Sequence, residues 1–197
     1  MKEFINFRHF TSLVNLANFY IWVFNFTQAL EKNLSYNIEQ AMIQLIQAQT
    51  EDHYRSTRNL FQQYADALGF DLEFQGFSRE VATLPGAYAP PKGCIFLAES
   101  EEEIVGCVAL RPLEKLICEM KRLYVVPGYR NRKTGRELAE AVIDQARTSG
   151  YERMRLDTLE SMTAAQALYH SLGFRPIKPY RYNPLNNPSY FELNLRQ

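Results

Sequence analysis

The chain has 197 residues, 46% hydrophobic and 13% aromatic, enough apolar material for one domain with a sizeable core, with or without an extension. Its 22 Lys and Arg balance its 22 Asp and Glu, so formal net charge is zero. That argues against a nucleic-acid binder driven by bulk charge, while a local basic patch stays open.

Residues 1–41 differ from the rest, being rich in Phe and Asn. Their most apolar stretch, 13–26, is interrupted by Asn15, Asn18 and Asn25. It is short and polar for a transmembrane helix, which needs about 20 mostly apolar residues, and it lacks the clean apolar core and cleavage site of a signal peptide. Two readings stand: an amphipathic helix that packs on the domain or a partner, or a start-site artefact with Met42 as initiator. The division expected is an extension over 1–41 and a domain over 42–197.

Residues 43–48 read as a strand. Thr50 followed by Glu51 and Asp52 reads as a helix start, and Leu60, Phe61, Tyr64, Ala65 and Leu68 recur at helical spacing up to Gly69, a natural stop. Phe74, Phe77, Val81 and Leu84 suggest a short second helix before the prolines of residues 85–91. Residues 93–99 and 104–110 read as strands joined by a polar turn at Ser100, Glu101, Glu102 and Glu103. That acidic trio is a solvated turn rather than a metal site. Cys94, Cys107 and Cys118 fall in strand-like runs without metal spacing, which predicts buried free thiols in a reducing compartment. His9, His53 and His170 are scattered and receive no catalytic role.

Residues 116–126 form a third strand, stopped by Pro127 and Gly128. A basic segment, Arg130, Asn131, Arg132, Lys133, Thr134, Gly135 and Arg136, leads into a strong helix over 137–147. Strand, basic turn and helix in that order aim free backbone N–H groups and a positive helix end at one point, which suits an anion such as a pyrophosphate; the bland alternative is a solvated connection. Gly135 lets a ligand approach the backbone. Residues 153–159 form a strand and 163–172 a helix ended by Gly173. Residues 174–177 and 189–195 are the last strands, separated by a long aromatic, proline-bearing loop. The order β-α-α-β-β-β-α-β-α-β-β is an α/β mix, with a largely antiparallel meander followed by a β-α-β unit.

Several segments together resemble the GNAT superfamily of acetyl-CoA-dependent N-acetyltransferases. Leu123-x-Val125-x-Pro127 followed by Arg130-x-x-Lys133-x-Gly135 is similar to the family signature of a strand and then Gln or Arg, two residues, Gly, one residue, and Gly or Ala. Ala167, Leu168, Tyr169, His170, Ser171, Leu172, Gly173 and Phe174 resemble its second hallmark, Leu-Tyr on a helix followed by Gly-Phe. The likeness covers about residues 42–197. It implies an α+β fold with a mixed, mostly antiparallel sheet flanked by helices. Lys133 stands where the family has its first glycine, and Met162 where it often has a cofactor-facing asparagine.

By that resemblance, Leu123, Tyr124 and Val125 lie along the pantetheine arm, and the backbone of Arg130, Asn131, Arg132, Lys133, Thr134, Gly135 and Arg136 holds the pyrophosphate. The acetyl group lies where the strand over 119–126 and the strand over 153–159 splay apart. A neutral amine attacks the thioester directly, a backbone N–H steadies the oxyanion, and the thiolate leaves. Glu119 matches the family's base where one is present; its alternative is a strand carboxylate paired with Lys121 or Arg153. Tyr169 matches the helix tyrosine that acts as acid towards the leaving sulfur; its alternative is a core tyrosine. Phe74, Phe77, Tyr180 and Tyr182 are candidate walls of the acceptor site, and Arg111 or Arg181 could hold an acceptor carboxylate.

The reading is an acyltransferase with acetyl-CoA as co-substrate, no metal, and a small-molecule primary amine as acceptor. Protein or peptide acetylation and a non-catalytic acyl-CoA-binding module are the alternatives. No nucleic-acid or membrane partner is expected, apart from a role for residues 1–41. Pairing with a second copy is left open. The absence of a clear export or anchor signal makes the cytoplasm the default.

Overall fold

The computed structural model of the chain describes residues 24, 26–28, 43–185 and 187–196. Phe24 and residues 26–28 are helical. Otherwise the readings of residues 1–41 and of Met42 as a start lie outside the described residues. Among the described residues no helix is long and apolar enough to cross a membrane.

Ile43–Gln197 forms one unit. In order it contains β1 (Gln44–Gln47), α1 (Glu51–Leu68), a 3-10 turn (Glu73–Gln75), α2 (Phe77–Ala82), a second turn (Gly86–Tyr88), β2 (Cys94–Ser100), β3 (Glu103–Glu114) and β4 (Ile117–Val125). A third turn (Pro127–Tyr129), α3 (Thr134–Thr148), β5 (Arg153–Leu159), α4 (Thr163–Ser171), β6 (Arg175–Pro176) and β7 (Pro188–Asn194) follow. The seven strands make one sheet in the order β1-β2-β3-β4-β5-β7-β6. Only β4 and β5 run parallel; the other neighbours are antiparallel. The fold is the mixed, mostly antiparallel sheet with flanking helices that the element order implies.

Period-2 alternation builds the two faces. Cys94, Ala98, Val108, Leu110, Cys118 and Met120 point to one core, covered by Leu138, Ala139, Val142, Ile143 and Ala146 of α3. Ile95, Leu97, Cys107, Ala109 and Tyr124 point to the other, covered by Leu60 and Phe61 of α1 and Phe77 of α2. All three cysteines are buried and free, and burial pushes each thiol well above its ordinary pKa. They are inert core residues.

Local signals set the ends. Thr50 caps α1, its hydroxyl accepting from the His53 N–H, and Gly69 ends it in the left-handed region at φ 71°. The turn between β2 and β3 places Glu101 and Glu102 at φ 51° and 67°, the geometry of a two-residue hairpin. Two elements differ from expectation. The segment expected as one short helix divides at Gly76, whose φ of 72° separates the 3-10 turn from α2. Strand β6 keeps only two residues, Arg175 and Pro176 against Glu192 and Phe191; Phe174 before it turns into the core, and beyond it only the Ile177 N–H bonds the Tyr190 carbonyl.

Two features of β4 position the site. Its pairing with β5 is confined to Ile117, Cys118 and Glu119 against Arg153, Met154 and Arg155, so the parallel strands part beyond Glu119. Its pairing with β3 shifts register between Lys121 and Tyr124, a bulge that puts Arg122 at φ 57°.

Candidate active site

The parted strands open onto two connected hollows. The larger is a groove of about 650 Å3 lined by Leu123, Tyr124 and Val125 of β4, the loop before α3, and α4. The smaller is a cavity of about 50 Å3 in the splay itself, lined by residues 120–123 of β4 and 156–159 of β5. Tyr64, Leu68, Phe70, Leu123, Leu159, Met162 and Tyr169 border both.

The groove joins an open strand edge to a basic wall. On the side facing β5, the parted edge of β4 is free to pair with an extended arm. At the far end Arg130, Lys133 and Arg136 line the wall. Arg130 stacks over Tyr124 and donates from Nε to the Val125 carbonyl at 3.0 Å, which fixes it beside the strand. Arg136 is braced across to α4, its guanidinium donating to the Ser171 hydroxyl at 2.6 Å. The α3 N–H groups of Arg136 and Glu137 bond back to the Lys133 carbonyl. Those of Lys133, Thr134 and Gly135 precede any helical acceptor and add the positive end of the helix.

Asn131 and Lys133 both adopt the left-handed region, at φ 64°. Lys133 is the N-cap of α3, so the glycine-type position of the motif is a glycine-type conformation here, occupied by a lysine. Of the ten expected cofactor residues, eight line the groove. Arg132 instead stacks on Tyr129, and Thr134 is buried beneath the loop with its hydroxyl directed to the Tyr129 carbonyl.

Tyr169 borders both hollows. Its ring packs on Phe174 and Phe191, with centroids 5.7 and 6.4 Å away. Its hydroxyl bonds to no side chain among the described residues. Burial, with smaller contributions from Tyr64 and Asp157, pushes the phenol well above its ordinary pKa. Met162 occupies the α4 N-cap and borders both hollows, its sulfur accepting from the Thr158 hydroxyl at 3.5 Å.

Glu119 is fully buried and lines neither hollow. Arg111, opposite it on β3, grips one carboxylate oxygen through Nε at 2.8 Å and Nη2 at 2.7 Å. The other oxygen takes Arg181 at 3.0 Å and the Tyr180 hydroxyl at 2.7 Å. Arg181 also pairs with Asp157, which receives Asn183 at 3.0 Å. So Arg111, Tyr180 and Arg181, considered from the sequence as acceptor contacts, are engaged with carboxylates of the domain. Phe77 is buried under the Arg122 guanidinium; Phe74 and Tyr182 are exposed.

Sequence reasoning gave no site role to polar residues that line the small cavity, among them Tyr64, Gln75, Lys121, Asp157 and Asn183. Lys121 is only 6% exposed, and its ammonium donates to the Gln75 side-chain oxygen at 2.8 Å. Its position in the strand next to the motif, on the same face as Glu119, was the one available signal. Among the described residues no group of three metal-ligating side chains converges.

Comparison with known proteins agrees with the fold and the groove. Residues 42–174 match the model of the acetyltransferase (GNAT) family. An uncharacterized N-acetyltransferase of Schizosaccharomyces pombe is 40% identical over 138 residues, covering 69% of this chain and 85% of that protein. Another, from Dictyostelium discoideum, is 30% identical, covering 70% of this chain and 92% of that protein. Among solved structures, a GNAT-family acetyltransferase of Staphylococcus aureus superposes with a TM-score of 0.67 at 23% identity, over 79% of this chain and all of that one. A Salmonella typhimurium acetyltransferase solved with acetyl-CoA superposes at 0.61 and 18% identity, over 79% and 95%. With a family model over most of its length and relatives named N-acetyltransferases over two thirds of it, the chain belongs to the GNAT family and is an acetyl-CoA-dependent N-acetyltransferase.

Proposed function

We propose that the protein transfers the acetyl group to the primary amine of a small molecule, by direct attack inside the cavity between β4 and β5. The observation that carries this reading is the size and place of that cavity. It is much smaller than the cofactor groove and meets it at a shared border that includes Leu123, Met162 and Tyr169. Leu68, Phe70, Leu72, Leu156 and Leu185 supply apolar walls, and Gln75, Asp157 and Asn183 supply polar ones. A small amine with an apolar body matches such a lining.

Each step has a group on this chain. The splay brings acceptor nitrogen and thioester carbon together. The nitrogen–carbon bond forms, the carbon–sulfur bond breaks, and the sulfur leaves as thiolate beside Tyr169. A phenol held above its usual pKa keeps its proton at neutral pH and donates a hydrogen bond as negative charge grows on sulfur. Arg130, Lys133, Arg136 and the first turn of α3 hold the pyrophosphate.

The test pairs calorimetric titration with acetyl-CoA and coenzyme A with a thiol-release screen. The screen compares small primary amines with peptide N-termini and lysine peptides. Binding near micromolar with turnover confined to small amines is the expected result. Preferred turnover of peptides moves the reading to protein acetylation, and binding without turnover moves it to a non-catalytic module.

A further inference from the structure

We propose that Lys121, rather than Glu119, takes the proton from the acceptor amine in the splay between β4 and β5. The inference rests on the acetyltransfer reading above and deepens it. Three observations converge on it.

The first is position. Lys121 is two residues past the last β4–β5 pair, on the wall of the small cavity, where the acceptor nitrogen must meet the thioester. Glu119 lies before the strands part and outside the lining. The second is engagement. Both oxygens of Glu119 are held, one by Arg111 and one by Arg181 and Tyr180, so no lone pair is directed at the cavity. Protonating it would also strand two guanidiniums.

The third is charge balance. The groups facing Lys121 are Glu119 and Arg122 on β4, Asp157 on β5, Arg181 from the loop before β7, and Glu80 on α2; Tyr64 and Tyr169 share its cavity. Glu119 and Asp157 are matched by Arg111 and Arg181, and Glu80 by Arg122. Lys121 has only a long ion pair, to Asp157 at 3.9 Å, and it shares that carboxylate with Arg181; its near contact is the neutral Gln75. Burial disfavours the charged form of an amine unless close counter-ions offset it, and here the one ion pair is long and shared. Burial, only partly offset by Glu119 and Asp157, brings the Lys121 pKa down to about 7. It can therefore both accept and release a proton near neutral pH.

The step balances. As the acceptor nitrogen bonds the thioester carbon, it passes a proton to the Lys121 nitrogen, and the carbon–sulfur bond breaks to give thiolate. Gln75 and Asp157 hold the resulting ammonium, which returns its proton to solvent or to the sulfur. Amide and free thiol are the products, with no other reactant needed.

The experiment compares full-length wild type, Lys121→Met and Lys121→Arg in thiol release from acetyl-CoA, with the amines of the screen above, from pH 5.5 to 9.5. Coenzyme A titration of each variant runs alongside. Wild-type kcat/KM should fall below pH 7 with a limb near 7. Both variants should lose 100-fold or more at pH 8 and lose that limb, with coenzyme A affinity within about threefold. Arginine keeps the cation but does not give up its proton, so rescue by Lys121→Arg would show an electrostatic anchor and overturn the proposal. Retention of the limb in Lys121→Met would overturn it equally. A wild type that binds coenzyme A yet releases no thiol with any amine defeats the acetyltransfer reading, and the base with it. Turnover unaffected in the variants defeats the base alone.

Discussion

Arg122 and Glu80 form a two-pronged pair under the bulge of β4, Nε to Oε1 at 2.9 Å and Nη2 to Oε2 at 2.7 Å. The Tyr88 hydroxyl adds a third donor to Oε1 at 2.7 Å. The guanidinium also lies over the rings of Phe77 and Tyr64. With Arg122 at φ 57°, the pair ties the one irregular residue of the strand to α2 and keeps Leu123 at the junction of the two hollows.

That pair is nearly water-free, the side chains being 2% and 10% exposed. Removing one partner leaves the other charge buried, so Glu80→Gln should cost about 3–5 kcal/mol of stability. Urea unfolding measures it. Burial acts to raise the Glu80 carboxyl, but hydrogen bonding and charge from Arg122 override it and hold it below its ordinary 4.5. Asp157 is likewise held below 3.8: burial is outweighed by Lys121 and Arg181. A carboxyl depressed in the fold stabilises above its unfolded pKa, and this is lost as pH falls through the folded value. Stability should therefore decline below about pH 4.5, and Glu80→Gln should flatten part of that decline.

The element order was legible because each strand and helix writes its own period in the sequence, and because Gly69 and Pro127 mark their stops locally. The loop side of the groove was legible because Arg130, Asn131, Lys133, Gly135 and Arg136, which line it, lie in one contiguous segment. The charge network was not. Arg122 finds Glu80 42 residues away, and Glu119 finds Tyr180 61 residues away, pairings that no local pattern encodes. Lys121, considered from the sequence as a partner of Glu119, is buried with Arg122 where β4 bulges, and its near contact is Gln75 instead.

Lys133 holds a left-handed conformation that costs a non-glycine residue about 1–2 kcal/mol. It also contributes a cation to the groove wall. Lys133→Gly should raise stability by roughly 0.5–1 kcal/mol, the relief being partly offset by the freedom glycine gains when unfolded. Acetyl-CoA affinity should fall by only about 2–5-fold, the scale of one exposed charge contact, and less at high salt. Thermal unfolding and titration at two ionic strengths check both.

Tyr169→Phe keeps the ring against Phe174 and Phe191 and removes only the hydroxyl at the junction of the hollows. If that hydroxyl supports the departing sulfur, kcat should fall about 100-fold while acetyl-CoA affinity stays within about twofold. Because the phenol is held above its ordinary pKa, no activity limb below pH 10 should belong to it. Steady-state kinetics across pH, with calorimetry of acetyl-CoA, measures both. Equal losses in kcat and affinity would point to a groove-lining role instead.

Lys121→Met tests the buried amine through stability alone. In the fold the Lys121 pKa is brought from 10.5 to about 7 by burial, so between those values the unfolded chain binds a proton there that the folded chain does not. Wild-type stability therefore rises with pH across that window, and it is lowest, for this group, at and below 7. Methionine has similar length and does not titrate. The variant should be more stable than wild type by on the order of a few kcal/mol at pH 6, and the gap should close as pH rises towards 10.5. Chemical denaturation at pH 6, 8 and 10 follows the trend. A gap that stays constant with pH would mean that Lys121 titrates alike in both states, and the amine would then be an ordinary ammonium in the fold.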